Sequence, residues 1–204
     1  MIAATTALAR LKEGNERFVA GVRSIDKLLT LTNRADYTSG QAPFAIILGC
    51  SDSRVPAEIV FDQGLGDLFV IRVAGNIVAP SQIGSVEFAA EQFNTRLVVV
   101  MGHTHCGAVS ATLEEMRRPK GVPSKNIQSI VDRIRPSLEP FVHTELWSQQ
   151  EALHKQATRA NVRASVNQLR HSSTVLEHLI NHEGLMIIGA EYDLHTGKVE
   201  FFED

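Results

Sequence analysis

Cysteine, tryptophan and tyrosine are scarce in this chain. Two cysteines, one tryptophan and two tyrosines occur among 204 residues. Two cysteines cannot build the disulfide framework of a small secreted scaffold. They lie far apart in the chain, so there is no Cys-x-x-Cys pair of the kind a thiol redox protein uses. An excess of one charge is also missing: 20 Lys and Arg face 23 Asp and Glu, a net charge of -3. Without a basic surplus to neutralise phosphates, neither nucleic acid nor an anionic membrane is an expected partner. No stretch approaches the roughly 18 to 20 apolar residues of a membrane helix. The first ten residues, Met1 to Arg10, lack a basic segment followed by a long apolar run. No secretory leader is expected from them, and a cytoplasmic location is.

Repeats, low-complexity segments and Pro/Gly-rich linkers are absent as well. Hydrophobic residues make up 44% and charged residues 21%, ordinary for a globular chain. The length suits one domain. The expected division is a helical arm over residues 1–35 and an α/β core with C-terminal helices over 36–204.

What is present is a series of short, β-branched-rich apolar runs. They are Phe44 to Leu48, Leu68 to Val73, Leu97 to Met101 and Leu185 to Ile188. Runs that are apolar at every position suit strands covered on both faces, as in a parallel sheet. A fifth run, Lys198 to Phe202, follows the turn signal His195-Thr196-Gly197 and predicts an antiparallel edge strand. Helical patterns fill Thr5 to Val19, Ser81 to Phe93, Gly107 to Met116, Ser124 to Ile134 and roughly Glu145 to Asn181. Gly14 weakens the middle of the first of these. Pro136 and Pro140 predict an end to the helix that starts near Ser124. Strands alternating with helices give an α/β layered fold, with helices on both faces of the sheet.

In such sheets ligands bind beyond the carboxyl ends of the strands. The first run leads straight into Gly49-Cys50-Ser51-Asp52-Ser53-Arg54, and the third into Gly102-His103-Thr104-His105-Cys106-Gly107. Both cysteines therefore fall at strand ends on one edge of the sheet. His103 and Cys106 are three apart, on one side of a tight turn. Two thiolates and an imidazole form a soft, zinc-selecting set, and three ligands leave the fourth tetrahedral position open, as in catalytic sites. His105 is expected to point elsewhere. Asp52 can reach the open position, either as a fourth ligand or as a hydrogen-bond acceptor. Arg54 can pin Asp52 away from the metal with two parallel hydrogen bonds. The plainer reading of Asp52-Ser53-Arg54 is a helix cap with a solvated charge pair.

Taken together, Cys50-Ser51-Asp52-Ser53-Arg54-Val55 and Gly102-His103-Thr104-His105-Cys106-Gly107 resemble the beta-class carbonic anhydrase family. Leu11 to Phe18, Phe61 to Asn76 and Gly84 to Phe88 extend the resemblance over nearly the whole chain. It implies zinc on Cys50, His103 and Cys106, and a catalytic dyad of Asp52 and Arg54. The implied fold is a four-stranded parallel sheet extended by an antiparallel strand. The implied reaction is reversible hydration of carbon dioxide to bicarbonate by attack of a zinc-bound hydroxide, in an obligate dimer often assembled into tetramers. Arg72 and Tyr192 match two residues of an inhibitory bicarbonate pocket found in some members. The third, a tryptophan, is replaced by Ile47, so an incomplete pocket is expected. His105 and His195 are proton-shuttle candidates by residue type alone. Alternatives are a carbon disulfide or carbonyl sulfide hydrolase on the same fold, and a non-enzymatic zinc-binding module.

Overall fold

In the computed structural model, residues 2–22, 24, 40–118 and 124–202 are described. The predicted boundary between arm and core, at 35/36, lies outside the described residues. Helix α1 (Ala4–Val19) is followed by β1 (Ala45–Gly49), a short helix α2 (Ala57–Val60) and β2 (Leu68–Arg72). A 3-10 turn (Ala74–Asn76) leads into α3 (Pro80–Gln92), β3 (Leu97–His103) and α4 (Gly107–Arg117). Helix α5 (Lys125–Leu138), two 3-10 segments (Glu139–Phe141 and Glu145–Ser148), α6 (Gln150–His171) and α7 (Thr174–His182) precede β4 (Met186–Tyr192) and β5 (Val199–Phe202).

The sheet order is β2-β1-β3-β4-β5. The first four strands are parallel and β5 runs antiparallel to β4, as expected from the sequence. β1 and β3 are buried at every position, which explains their unbroken apolar runs. Alternate residues serve opposite faces. Ile47, Val99 and Met101 pack toward α1 and α2. Ile46, Leu48, Val98 and Val100 pack against α3, α6 and α7. A third apolar cluster gathers Cys50 and Cys106 with Leu113, Ile134, Leu138 and Leu153 at the carboxyl end of the sheet.

Three local expectations change. The helix begun at Ser124, whose hydroxyl accepts from the Ile127 N–H, does not stop before Pro136 but runs through it to Leu138. A proline inside a helix costs about 3 kcal/mol. Ile134 and Leu138 are both wholly buried, and each such side chain returns roughly 1.5–3 kcal/mol, so packing decides. The single stretch predicted over Glu145 to Asn181 is divided, because the Ser173 hydroxyl caps a new helix through the Leu176 N–H. Third, Gly14 is no weak point in α1. A Cβ there would lie 1.9 Å from the Phe61 carbonyl oxygen, so glycine is what lets α1 sit on the core. Arg10 to Asp67 and Arg17 to Asp62 ion pairs, with Asn15 bonded to the carbonyls of Val60 and Gly197, fix it there.

Candidate metal centre

The carboxyl ends of the two central strands hold the site. Cys50 is the first residue after β1, and His103 is the last residue of β3. Cys106 is the cap residue in front of α4. Because β1 and β3 are hydrogen-bonded neighbours, residues far apart in sequence converge. The donor atoms of Cys50, His103 and Cys106 lie within 4.8 Å of one another, and all three residues are buried. The two sulfurs are 4.0 Å apart.

Each donor is prepared for a cation. Nδ1 of His103 lies 2.9 Å from the Thr104 carbonyl oxygen. A carbonyl only accepts, so Nδ1 carries the hydrogen and Nε2 keeps its lone pair. That Nε2 is buried without a hydrogen-bond partner, a costly state that a metal ion relieves. Cys50 is lowered to about 4, chiefly by the hydrogen bond from Cys106. The backbone N–H groups of Gly75 and Asp52 add to this, against the opposing effect of burial. Cys106 is pushed far above the thiol range by the same bond to Cys50 and by its own burial. Two sulfurs this close, beside an imidazole nitrogen, are a donor set suited to a soft divalent ion.

Asp52 stands at the edge of this cluster, its Oδ2 3.8 Å from Nε2 of His103. Both of its oxygens are held by Arg54, Nε on Oδ1 at 2.9 Å and Nη2 on Oδ2 at 2.7 Å. The Arg54 backbone N–H adds a third bond to Oδ1 at 3.0 Å. These bonds hold the carboxyl well below the usual carboxylate range. The pair is a two-pronged clamp, not merely a solvated helix cap.

Other predicted residues fall elsewhere. His105 is exposed with a positive φ of 56°, outside the donor cluster, as its neighbouring position implied. It lines a broad groove with His154 and His195. Arg72 turns two of its donors to the backbone of the first motif. Its Nε donates to the Cys50 carbonyl at 3.1 Å and its Nη2 to the Asp52 carbonyl at 2.6 Å. Ile47 is wholly buried, and Tyr192 packs its ring against Phe18. Two contributors escaped the sequence reading. Gly75 points its N–H at Cys50 Sγ, 3.4 Å away, and the end of β2 beside the other strand ends was the signal for it. Asn161, deep in α6, bonds the Gly75 carbonyl and carries no local signal at all.

The carbonic anhydrase family model matches residues 45–199, from the first residue of β1 to the first of β5. The chain belongs to the beta-class carbonic anhydrase family. It is accordingly an enzyme, and carbon dioxide hydration is the reaction its family supports. Carbonic anhydrase 2 of Mycobacterium tuberculosis is 39% identical over 190 residues, covering 92% of this chain and 87% of that protein. The carbonic anhydrase of Mycolicibacterium smegmatis is 39% identical over 192 residues, covering 93% and 89%. Among solved structures, the beta-carbonic anhydrase CcaA superposes with a TM-score of 0.73 at 25% identity, over 97% of this chain and 92% of that one. One of two tetrameric beta-carbonic anhydrases of Sordaria macrospora gives 0.75 at 21% identity over 86% and 90%, a likeness of fold.

Proposed function

We propose that this enzyme interconverts carbon dioxide with bicarbonate and a proton using a zinc ion held by Cys50, His103 and Cys106. One observation carries the reading: three buried donors converge within 4.8 Å, and the imidazole nitrogen among them has no partner. Zinc in such a set supplies Lewis acidity and makes water a usable nucleophile near neutral pH. The chain's own residues do the rest. Cys50 and Cys106 would bind the ion as thiolates. Asp52 accepts a hydrogen bond from the attacking oxygen and so turns a lone pair toward the carbon of carbon dioxide. Arg54 keeps Asp52 ionised and holds both of its oxygens; were that clamp to open, Asp52 would be in reach as a fourth ligand. Arg72 holds the carbonyls on both sides of Ser51, so Cys50 and Asp52 keep their spacing. His105 and His195, both exposed, are the proton acceptors proposed by residue type.

The chain acts as one unit over residues 1–204, in the cytoplasm, and as a homodimer or homotetramer. No described helix is long and apolar enough to cross a membrane. Self-association is supported by the open edge of β2, where Phe69, Phe88 and Phe93 form an aromatic cluster and Phe88 is 53% exposed.

Zinc content measured together with the hydration rate from pH 7 to 9, beside sulfide release from carbon disulfide and carbonyl sulfide, tests the proposal. One zinc per chain with rapid hydration is expected. Tightly bound zinc with no hydration at pH 8 to 9 would mark a zinc-binding module. Sulfide release outpacing hydration would mark the sibling hydrolase.

A further inference from the structure

Helix α6 lies far along the chain from Cys50, yet it reaches the turn behind that sulfur. Asn161 and Ser165, one helical turn apart, project from α6 into the 3-10 turn that follows β2. Nδ2 of Asn161 donates to the Gly75 carbonyl at 2.8 Å, and Oγ of Ser165 donates to the Asn76 carbonyl at 3.0 Å. Both side chains are buried. The turn they hold is left-handed at two successive residues, with φ of 70° at Gly75 and 44° at Asn76. Backbone in that region costs of order 1–3 kcal/mol at a residue other than glycine, and it persists only where its surroundings impose it. The surroundings here include two side chains from one distant helix. The N–H of Gly75, in the same turn, is directed at Cys50 Sγ.

We propose that Asn161 is a positioning residue for the metal-binding sulfur of Cys50. By fixing the Gly75 carbonyl it keeps the Gly75 N–H on the sulfur, and so sets how much charge Cys50 offers the ion. Ser165 is its auxiliary, one peptide further along. The assignment rests on Cys50 being a ligand of the ion. Outer partners of metal ligands tune both affinity and electronic character, and hydrogen bonds to sulfur are a recognised means. An N–H on a thiolate withdraws charge from it, so losing the bond moves sulfur-to-metal charge transfer to lower energy.

The test uses the full chain loaded with cobalt(II), read by its thiolate-to-cobalt absorption, and with zinc, read by its release rate to a chelator. Asn161→Asp is nearly the same shape but loses the donor when ionised; Asn161→Ala removes the side chain. Both should shift the cobalt band to longer wavelength and speed zinc release roughly tenfold or more. Ser165→Ala should shift the band less. Leu169→Ala, a cavity in the same helix away from the turn, should lower thermal stability and leave the band in place. Asn161→Gln, which keeps the amide, should restore part of the shift. Where Asn161→Ala does not fold, Asn161→Asp and Ser165→Ala decide. An unmoved band in Asn161→Ala, or in Asn161→Asp at a pH where its carboxyl is ionised, overturns the role of Asn161. A band shifted equally in Leu169→Ala overturns it too, as general loosening. Absence of any thiolate-to-cobalt band in the unaltered protein would instead overturn the ligand set itself.

Discussion

A single residue, Ser51, separates Cys50 from Asp52, yet the two belong to opposite environments. The cluster of Cys50, His103 and Cys106 is shut away from water, with His103 fully buried and neither cysteine more than 6% exposed. The Asp52–Arg54 clamp sits at the mouth, where the Arg54 side chain is 55% exposed. Burial raises the cost of every unpaired proton and lone pair in the first region, so its donors are poised for a cation that satisfies all three at once. In the second region water remains, and charge alone would be worth little. There, geometry takes over: three hydrogen bonds from one arginine fix the direction of a carboxylate. On the proposed ligand set, affinity for the ion is thus separated from steering of the reaction.

Breaking the buried half should have the largest effect. Cys106→Ser is expected to lose zinc and, with it, hydration activity down to background, seen by metal analysis and stopped-flow hydration; a zinc-free and fully active variant would sink the ligand assignment. Breaking the exposed half should be milder and of a different kind. Arg54→Ala is expected to retain stoichiometric zinc while hydration falls roughly 10- to 100-fold, as for outer partners of metal sites. Equal loss of zinc in both variants would erase the distinction between the two regions.

A smaller effect is expected where the buried half meets its backing. Gly75→Ala forces a side chain into left-handed backbone, with its Cβ 2.8 Å from Ile134 Cδ1 and 3.0 Å from Ala108 Cβ. A stability loss of about 1–3 kcal/mol is expected by denaturant unfolding. The smallest concerns a second arginine clamp, away from the three donors. Arg159 engages Glu191 and Glu200, and its bond to Glu200 lowers the pKa of that carboxylate. A lowered folded pKa means stability present above the unfolded value and lost as pH falls through the folded one. Glu200 is mostly exposed, so Glu200→Gln should cost at most about 1 kcal/mol at pH 7. Thermal melts of the two proteins should converge once the pH drops below the normal carboxylate range.

The centre was legible because strand ends are. β1 and β3 are buried on both faces, their apolar runs are unbroken, and the residues that follow them must lie at one edge of the sheet. β4 was read too short for the converse reason. Gly189, Ala190 and Glu191 interrupt the apolar run, yet the strand continues to Tyr192. A Cβ at Gly189 would fall 2.7 Å from the Phe202 ring, a contact that no local pattern reveals. Pro136 misled in the same way, since the buried Ile134 and Leu138 that hold its helix belong to tertiary packing. Asn161 was invisible because a polar residue in a polar helix looks solvated until the turn it bonds is placed beside it.

The placement of the three donors on β1 and β3 also orders events during synthesis. A nascent chain that has emerged only as far as α3 carries Cys50 alone, with nothing beside it to chelate. β3 must pair with β1 before His103 and Cys106 arrive, and α6 must dock before Asn161 and Ser165 close the turn behind the sulfur. On the proposed ligand set, metal capture therefore waits for a finished sheet, and a chain stalled before β3 presents Cys50 alone.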